Sequence, residues 1–330
     1  MTDIHEDPVF GTDAASTRLP LGLGMGEAIT PMELVSVPEG GESTQGGGMF
    51  VQIGRVFIQN KMAVVGLIII VAFVLFCFVG PHVYHTDQTN QQAVLGTVEN
   101  GPPQSGHPLG TDSTGFDILG RLMYGGQTSL IVGFASAFVA TVVGVVFGAT
   151  AGFFGGSVDA AMMRFVDMLL SIPILFLLIA MVTIFSSSEV LIILIIAFVS
   201  WLIPARLIRG ETLTLRVREY VQAVRVMGGS RRRIVLRHIL PNAIGTIIVN
   251  ATFQVADAIL FLAALGFLGL GVQPPQTDWG SMLSDGVTYA IQGFWWEIYP
   301  AGLAIVLVVV AFNFIGDALR DSLEVRLQTR

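Results

Sequence analysis

Charge is scarce in this chain. Asp, Glu, Lys and Arg make up 12% of its 330 residues, while 53% are hydrophobic. A soluble domain carries about 25% charged residues, so this composition points to lipid as the solvent. Cysteine is nearly absent: the single Cys77 lies inside an apolar run, which excludes an internal disulfide and a cysteine-rich metal site. There is no GxxxxGK[ST] phosphate loop, so an ATPase of that kind is not encoded here. Nor is there an HExxH or Ser/His/Asp grouping of the kind a membrane-embedded enzyme would need. The opening MTDIHEDP lacks the basic region of a secretory signal, and the first apolar segment is expected to remain as a span.

What charge there is falls unevenly. Residues 1–49 hold Asp3, Glu6, Asp7, Asp13, Glu27, Glu33, Glu39 and Glu42 against one Arg18. That tail alone accounts for the formal net charge of -7, and residues 50–330 balance at sixteen of each sign. The overall acidity therefore carries no information about a ligand. Rich in Gly, Pro, Ser and Thr, the tail is expected to be disordered and to precede a transmembrane domain over 50–330. A short amphipathic helix at Ile29–Val37 competes with the breakers around it.

Hydropathy predicts six spans, since about 20 apolar residues cross the hydrocarbon core. They run over about 62–81, 130–154, 166–185, 190–209, 243–270 and 298–317. The fold class is thus an all-α membrane protein of six transmembrane helices. Basic residues set the orientation. With the N-terminus inside, sixteen of the seventeen Lys and Arg are cytoplasmic, and Arg121 alone lies outside. Both termini are then cytoplasmic, and 81–129 and 271–297 are long outside connections.

The cytoplasmic segment 210–242 is more than a connection. Leu213–Met227 suits a helix, Gly228-Gly229-Ser230 breaks it, and Arg231–Leu240 suits a second, basic amphipathic helix. Pro241 follows where a first-turn proline is tolerated. Two readings stand: a helix pair anchored on anionic headgroups, or a docking surface for a cytoplasmic partner.

Polar groups at membrane depth are the other candidates, because they are costly there and usually face a bundle interior or water. Asp159 and Asp167 flank the third span, Asn250, Gln254 and Asp257 lie in the fifth, and Asn313 and Asp317 in the sixth. Asn250 and Asp257 are seven residues apart and share a helix face. Lining a translocation path and helix-to-helix hydrogen bonding are both open for Asn250, Gln254 and Asp257. Asp167 and Asp317 are expected to pair with Arg164 and Arg320. Pro173 and Pro204 are candidate kinks. His82, His85 and His107 have no spacing that fixes a ligand set, so no metal site is assigned and they are read as solvent-exposed. Trp295 and Trp296 read as interfacial belt residues. The GFLGLG run, Gly266–Gly271, lies in an apolar span and reads as close helix packing.

The residues Glu219-Tyr220-Val221-Gln222-Ala223-Val224-Arg225, then Gly228, then Ile239-Leu240-Pro241-Asn242, resemble the cytoplasmic EAA loop of binding-protein-dependent ABC importers. Further pieces follow in order: His107–Asp112, Gly155-Gly156, Met163–Asp167, Phe267–Pro275, Trp279–Leu283, Asn313 and Gly316–Asp321. Together, over roughly 50–326, they are similar to the dipeptide/oligopeptide/nickel permease group, on its second-permease (C-type) side. Gln222 replaces the usual EAA glutamate. Phe116 and Gln127 stand where arginines are common, and Leu262 where a glutamate is common.

The resemblance implies a permease subunit, not an enzyme, in a bacterial or archaeal plasma membrane. Its partners would be a homologous second permease, two ATPase subunits and an extracytoplasmic binding protein, with no nucleic acid. ATP and Mg would sit on the ATPases, with no cofactor on this chain. Glu219, Gln222, Ala223, Arg225, Gly228, Gly229 and Pro241 would couple to the ATPases, and short peptides would be the solute. The alternative is an ion-coupled secondary transporter or channel acting alone. That reading calls for internal repeats, and none is evident.

Overall fold

A computed structural model describes residues 54, 57–88, 90, 94–95, 97–185 and 188–328, with side chains to residue 323. The acidic tail 1–49, with the expected helix at Ile29–Val37, lies outside the described residues. The helices are α1 (Lys61–Phe78), α2 (Gly80–Val83), α3 (Ile118–Phe154), α4 (Gly156–Leu170), α5 (Ile174–Phe185) and α6 (Glu189–Ser200). They continue with α7 (Leu202–Leu215), α8 (Glu219–Val226), α9 (Arg231–Ile234), α10 (Leu240–Phe267), α11 (Trp279–Ala290) and α12 (Tyr299–Gln328). No β-strand occurs among the described residues, only two isolated bridges in the connection before α3.

Four stretches are long and apolar enough to cross a membrane unbroken: Lys61–Phe78, Ile118–Phe154, Arg231–Phe267 and Trp295–Leu323. The third and fourth expected spans are not straight. The one expected over 166–185 is the pair α4 and α5, bent by 82°, and the one over 190–209 is α6 and α7, bent by 43°. Six spans result when each bent pair counts as one. Proline is the cause of the first break, since Pro173 has no N–H to continue the ladder and disfavours helix at Ile172. At the second, Pro204 removes the donor that would bond the Ser200 carbonyl. The Gln254 side chain of α10 supplies it instead, its Nε2 donating to Ser200 O at 2.6 Å.

α3 begins twelve residues before the expected span because a cap fixes its start. Asp117 accepts from Gly120 N at 2.8 Å, from the Tyr84 hydroxyl at 2.9 Å, and lies 2.8 Å from His107 Nδ1. His107 is therefore part of the cap rather than a free loop histidine. Burial and the Asp117 hydrogen bond push the Tyr84 phenol up to about 12, so it remains a donor at neutral pH. Arg121, one turn on, bonds Asp112 and the Pro275 carbonyl, both at 3.3 Å. This pins the two long connections to each other.

In lipid the apolar effect does not drive helices together, so close van der Waals contact has to. Gly144, Gly148 and Gly152 stand at four-residue intervals on α3, directly under α7. A Cβ at Gly144 would lie 2.6 Å from Pro204 Cβ, one at Gly152 2.7 Å from Arg209 O, and one at Gly148 would run into Ala205 O. The other large contact centres on Trp279, 0% exposed, whose Nε1 donates to Leu122 O at 3.0 Å. A Cβ on Gly126 would reach that ring at 2.8 Å, and Phe73 meets it edge-on at 5.8 Å. Gln127 ties α3 to α1 through Cys77 O at 2.8 Å.

Candidate functional site

Segment 210–242 departs from the expected helix pair. The helix expected over Leu213–Met227 is interrupted: α7 ends at Leu215 and α8 starts at Glu219. Arg216 holds the break open, its guanidinium donating to Gly152 O at 2.8 Å at the end of α3. Gln222 closes it, with Nε2 donating to Arg216 O at 3.0 Å. A glutamate, acceptor-only when ionised, could not make that bond, so the amide at this position has a task of its own.

α8 ends in a glycine cap. Gly228 takes φ +81°, its N–H donates to Arg225 O at 3.1 Å, and Gly229 N–H donates to Val224 O at 2.9 Å, the paired bonds of a Schellman motif. Ser230 then caps α9, and Val235–Ile239 passes into a π-helical turn closed by Leu240 N–H on Val235 O. Pro241 sits immediately after it in the first turn of α10. A widened turn before a proline lets one continuous helix carry a residue that cannot donate.

The loop has its own core. Val221, Ile234 and Ile239 are buried, and Phe153, Leu215, Val224 and Val235 pack on them. Arg225 and Arg231 lie over the rings of Phe153 and Phe154, at 5.9 and 5.5 Å. The knob is thus fastened to the end of α3 on one side and runs into α10 on the other. Glu219, Ala223, Arg225 and Gly228 are exposed on it, Gln222 and Gly229 half-buried, and Pro241 lies apart on α10. Residue-by-residue reading missed the apolar tip: Val226 is 87% exposed and Met227 77%, beside Tyr220. Two such side chains next to a glycine cap form an exposed apolar tip, a candidate contact surface. The signal was available in sequence as an apolar pair directly before the Gly-Gly break.

Below the knob, α4 and α7 are clamped by charge. Arg209 binds Asp159 through two guanidinium nitrogens, Nε donating to Oδ1 at 2.5 Å and Nη2 to Oδ2 at 2.6 Å. Asp167 pairs with Arg206 of α7, not with the expected Arg164. Such a fork is worth more than a surface pair because Asp159 is only 8% exposed. Asp159→Ala is expected to lower stability by about 2 kcal/mol, read as an earlier thermal transition of the purified protein. An unchanged transition would show the pair to be dispensable.

The three polar residues of α10 separate. Gln254 is 4% exposed and committed to Ser200, so it serves helix-to-helix bonding. Asp257 is exposed. Asn250, two turns away on the same face, is half-buried with its Oδ1 unpartnered. Leu262, where a glutamate would be common, is 0% exposed among Ile192, Ile196 and Leu265.

Four unbroken and two bent apolar spans, carrying one folded arginine-rich knob, define a polytopic helical membrane protein. The comparisons narrow the class. Residues 144–329 match the model of the binding-protein-dependent transport system inner membrane component, and residues 48–103 that of the N-terminal TM domain of oligopeptide transport permease C. The chain belongs to the family of binding-protein-dependent transport system inner membrane components.

It is 40% identical over 284 residues to an oligopeptide transport system permease protein of Haemophilus influenzae, covering 85% of this chain and 89% of that one. It is 42% identical over 282 residues to the Escherichia coli K12 protein of the same description, covering 85% and 92%. Against a dipeptide transport system permease protein of Bacillus subtilis it is 35% identical over 270 residues, covering 82% and 83%. A chain of a methionine ABC transporter solved in inward-facing conformations shares the fold, with a TM-score of 0.50 at 21% identity, covering 61% of this chain and 96% of that one.

Proposed function

We propose that this chain is one of two membrane-spanning subunits of an ATP-driven importer of short peptides. It would work with a homologous second permease, two ATPase subunits that hold ATP and Mg, and an extracytoplasmic binding protein, in a bacterial or archaeal plasma membrane. The arginine-rich knob and both termini face the cytoplasm in this reading, as the basic residues require. Peptides as solute are supported by relatives described as oligopeptide and dipeptide permeases, which match this chain over most of its length.

The observation that carries the coupling role is the knob's own core. A floppy anchor on headgroups needs no buried Val221, Ile234 and Ile239; a lever does. When two ATPases close on ATP, their clefts would draw the knob inward by its exposed tip, Val226 to Gly228, with Glu219, Ala223 and Arg225 at the rim. Because the knob is packed on Phe153 and continuous with α10, that displacement would pass to α3 and α10 as a rigid-body shift between inward- and outward-open states. Asn250 and Asp257, on one face of α10, would line the path between the two permeases.

Proteoliposomes holding the two permeases and both ATPases are expected to accumulate a labelled tripeptide only with ATP inside the coupled system and binding protein outside. Accumulation driven by an ion gradient, without ATPase subunits, would instead establish the secondary-transporter alternative.

A further inference from the structure

Asp257 lies ten residues before the end of α10, about 15 Å along a helix rising 1.5 Å per residue. That is mid-depth in a hydrocarbon core about 30 Å thick. The carboxylate is exposed, and no hydrogen bond or ion pair reaches it among the described residues. The neighbours it shares the helix with are turned inward: Val255, Ala256, Ala258 and Ile259 are all buried. The helices packed most heavily on α10 are α3 and α12, and their basic residues stand near their ends, at Arg121, Arg320 and Arg326. Among the described residues, then, no cation is bonded to Asp257.

Lipid cannot be what covers it, since an acidic group at the bilayer centre costs about 3 kcal/mol even on insertion scales. Asn250 lies two turns away on the same face, about 10 Å, but its Oδ1 is buried in the chain, so the exposed acceptor on this face is the Asp257 carboxylate. An exposed carboxylate is complementary to N–H donors carrying positive charge.

We propose that Asp257 is a specificity-determining residue of the path, receiving the ammonium groups of the solute at mid-membrane, so that this subunit favours cationic peptides. The inference rests on the importer reading above. Moving an ammonium group through a low-dielectric constriction is costly unless a fixed opposite charge meets it. A single carboxylate with no cation of its own does that without first having to break an ion pair. The ammonium groups meant are those of lysine side chains, since the amino terminus is common to all peptides and gives no preference for cationic ones.

The test compares wild type, Asp257→Asn and Asp257→Glu in the full complex, using ATP-driven uptake of trilysine, trialanine and triglutamate. For each peptide the variant rate is divided by the wild-type rate, which cancels the binding protein's own preference. Asp257→Asn is expected to lose about tenfold on trilysine, equivalent to about 1.4 kcal/mol, with little loss on triglutamate and with Asp257→Glu restoring most of it. Trialanine, which has an amino terminus but no lysine, is expected to lose as little as triglutamate. Equal losses on all three peptides, or none, would overturn the proposal while leaving the importer intact. Failure of Asp257→Asn to co-purify with the second permease would also overturn it, placing Asp257 in a subunit ion pair. Absence of ATP-driven uptake of any peptide by wild type would overturn the importer reading and this proposal with it.

Discussion

Gly148→Leu is expected to leave no folded subunit. The Cβ it adds would meet Ala205 O and come within 3.0 Å of Arg209 N, both backbone atoms of α7. Backbone cannot rotate aside as a side chain can, so the two helices would have to separate along the contact that Gly144, Gly148 and Gly152 make together. Overpacking a fitted contact costs about 1–3 kcal/mol for a modest excess of volume. Here a leucine would also undo the flanking glycine contacts and pull Arg209 off Asp159. Gly148→Ala makes the same Cβ collision without the further bulk and is expected to cost about 3 kcal/mol, the upper end for overpacking, with partial assembly. The check is size-exclusion behaviour and thermal unfolding of the detergent-purified protein beside wild type. A monodisperse Gly148→Leu protein with an unchanged transition would mean that α3 and α7 are not held by this ridge.

The second large effect is expected at the opposite kind of glycine, one with open space around it. Gly228 has φ +81° and nothing within 4 Å of a Cβ built on it. A non-glycine residue there costs about 1–2 kcal/mol of backbone strain, while its side chain points away from this chain altogether. Gly228→Ala therefore introduces the strain alone, and Gly228→Trp the strain plus bulk directed at whatever receives the tip. In the reconstituted complex, Gly228→Trp is expected to cut the ATP hydrolysis stimulated by binding protein and peptide at least tenfold, on the order of 1.4 kcal/mol of coupling. Gly228→Ala should keep most of it, with both variants still assembling. Hydrolysis that stays coupled in the tryptophan variant would return segment 210–242 to the role of a headgroup anchor.

These two glycines differ in how far sequence could foretell their roles. Gly228 was legible, because a Gly-Gly-Ser break between a helical stretch and a basic amphipathic one marks a helix end. The C-cap it forms is local, made from residues within five positions of one another. Gly148 was legible only as part of a glycine- and alanine-rich span. That it faces α7 rather than lipid depends on where a segment some sixty residues away comes to lie. The same division runs through the polar residues of α10. Hydropathy and spacing singled out Asn250, Gln254 and Asp257, but not which of them pointed inward. Gln254 was assigned its task by Pro204, whose missing N–H left the Ser200 carbonyl of another span in need of a donor.

Composition, hydropathy and the distribution of arginine determined by themselves that this is a polytopic helical membrane subunit with one structured basic loop. Those properties are sums over residues or runs of neighbours, and the bilayer reads them directly. The sequence offered Pro173 and Pro204 as candidate kinks, but only the tertiary structure decided how far those two spans bend, that α3 starts at an Asp117 cap joined by His107 and Tyr84, and that the loop is a knob with its own core and an apolar tip. It also left Asp257 without a hydrogen-bond or ion-pair partner among the described residues. Each of these depends on a hydrogen bond or a contact between residues distant in the chain, and in a medium without water to satisfy a stray polar group, such partners decide the geometry.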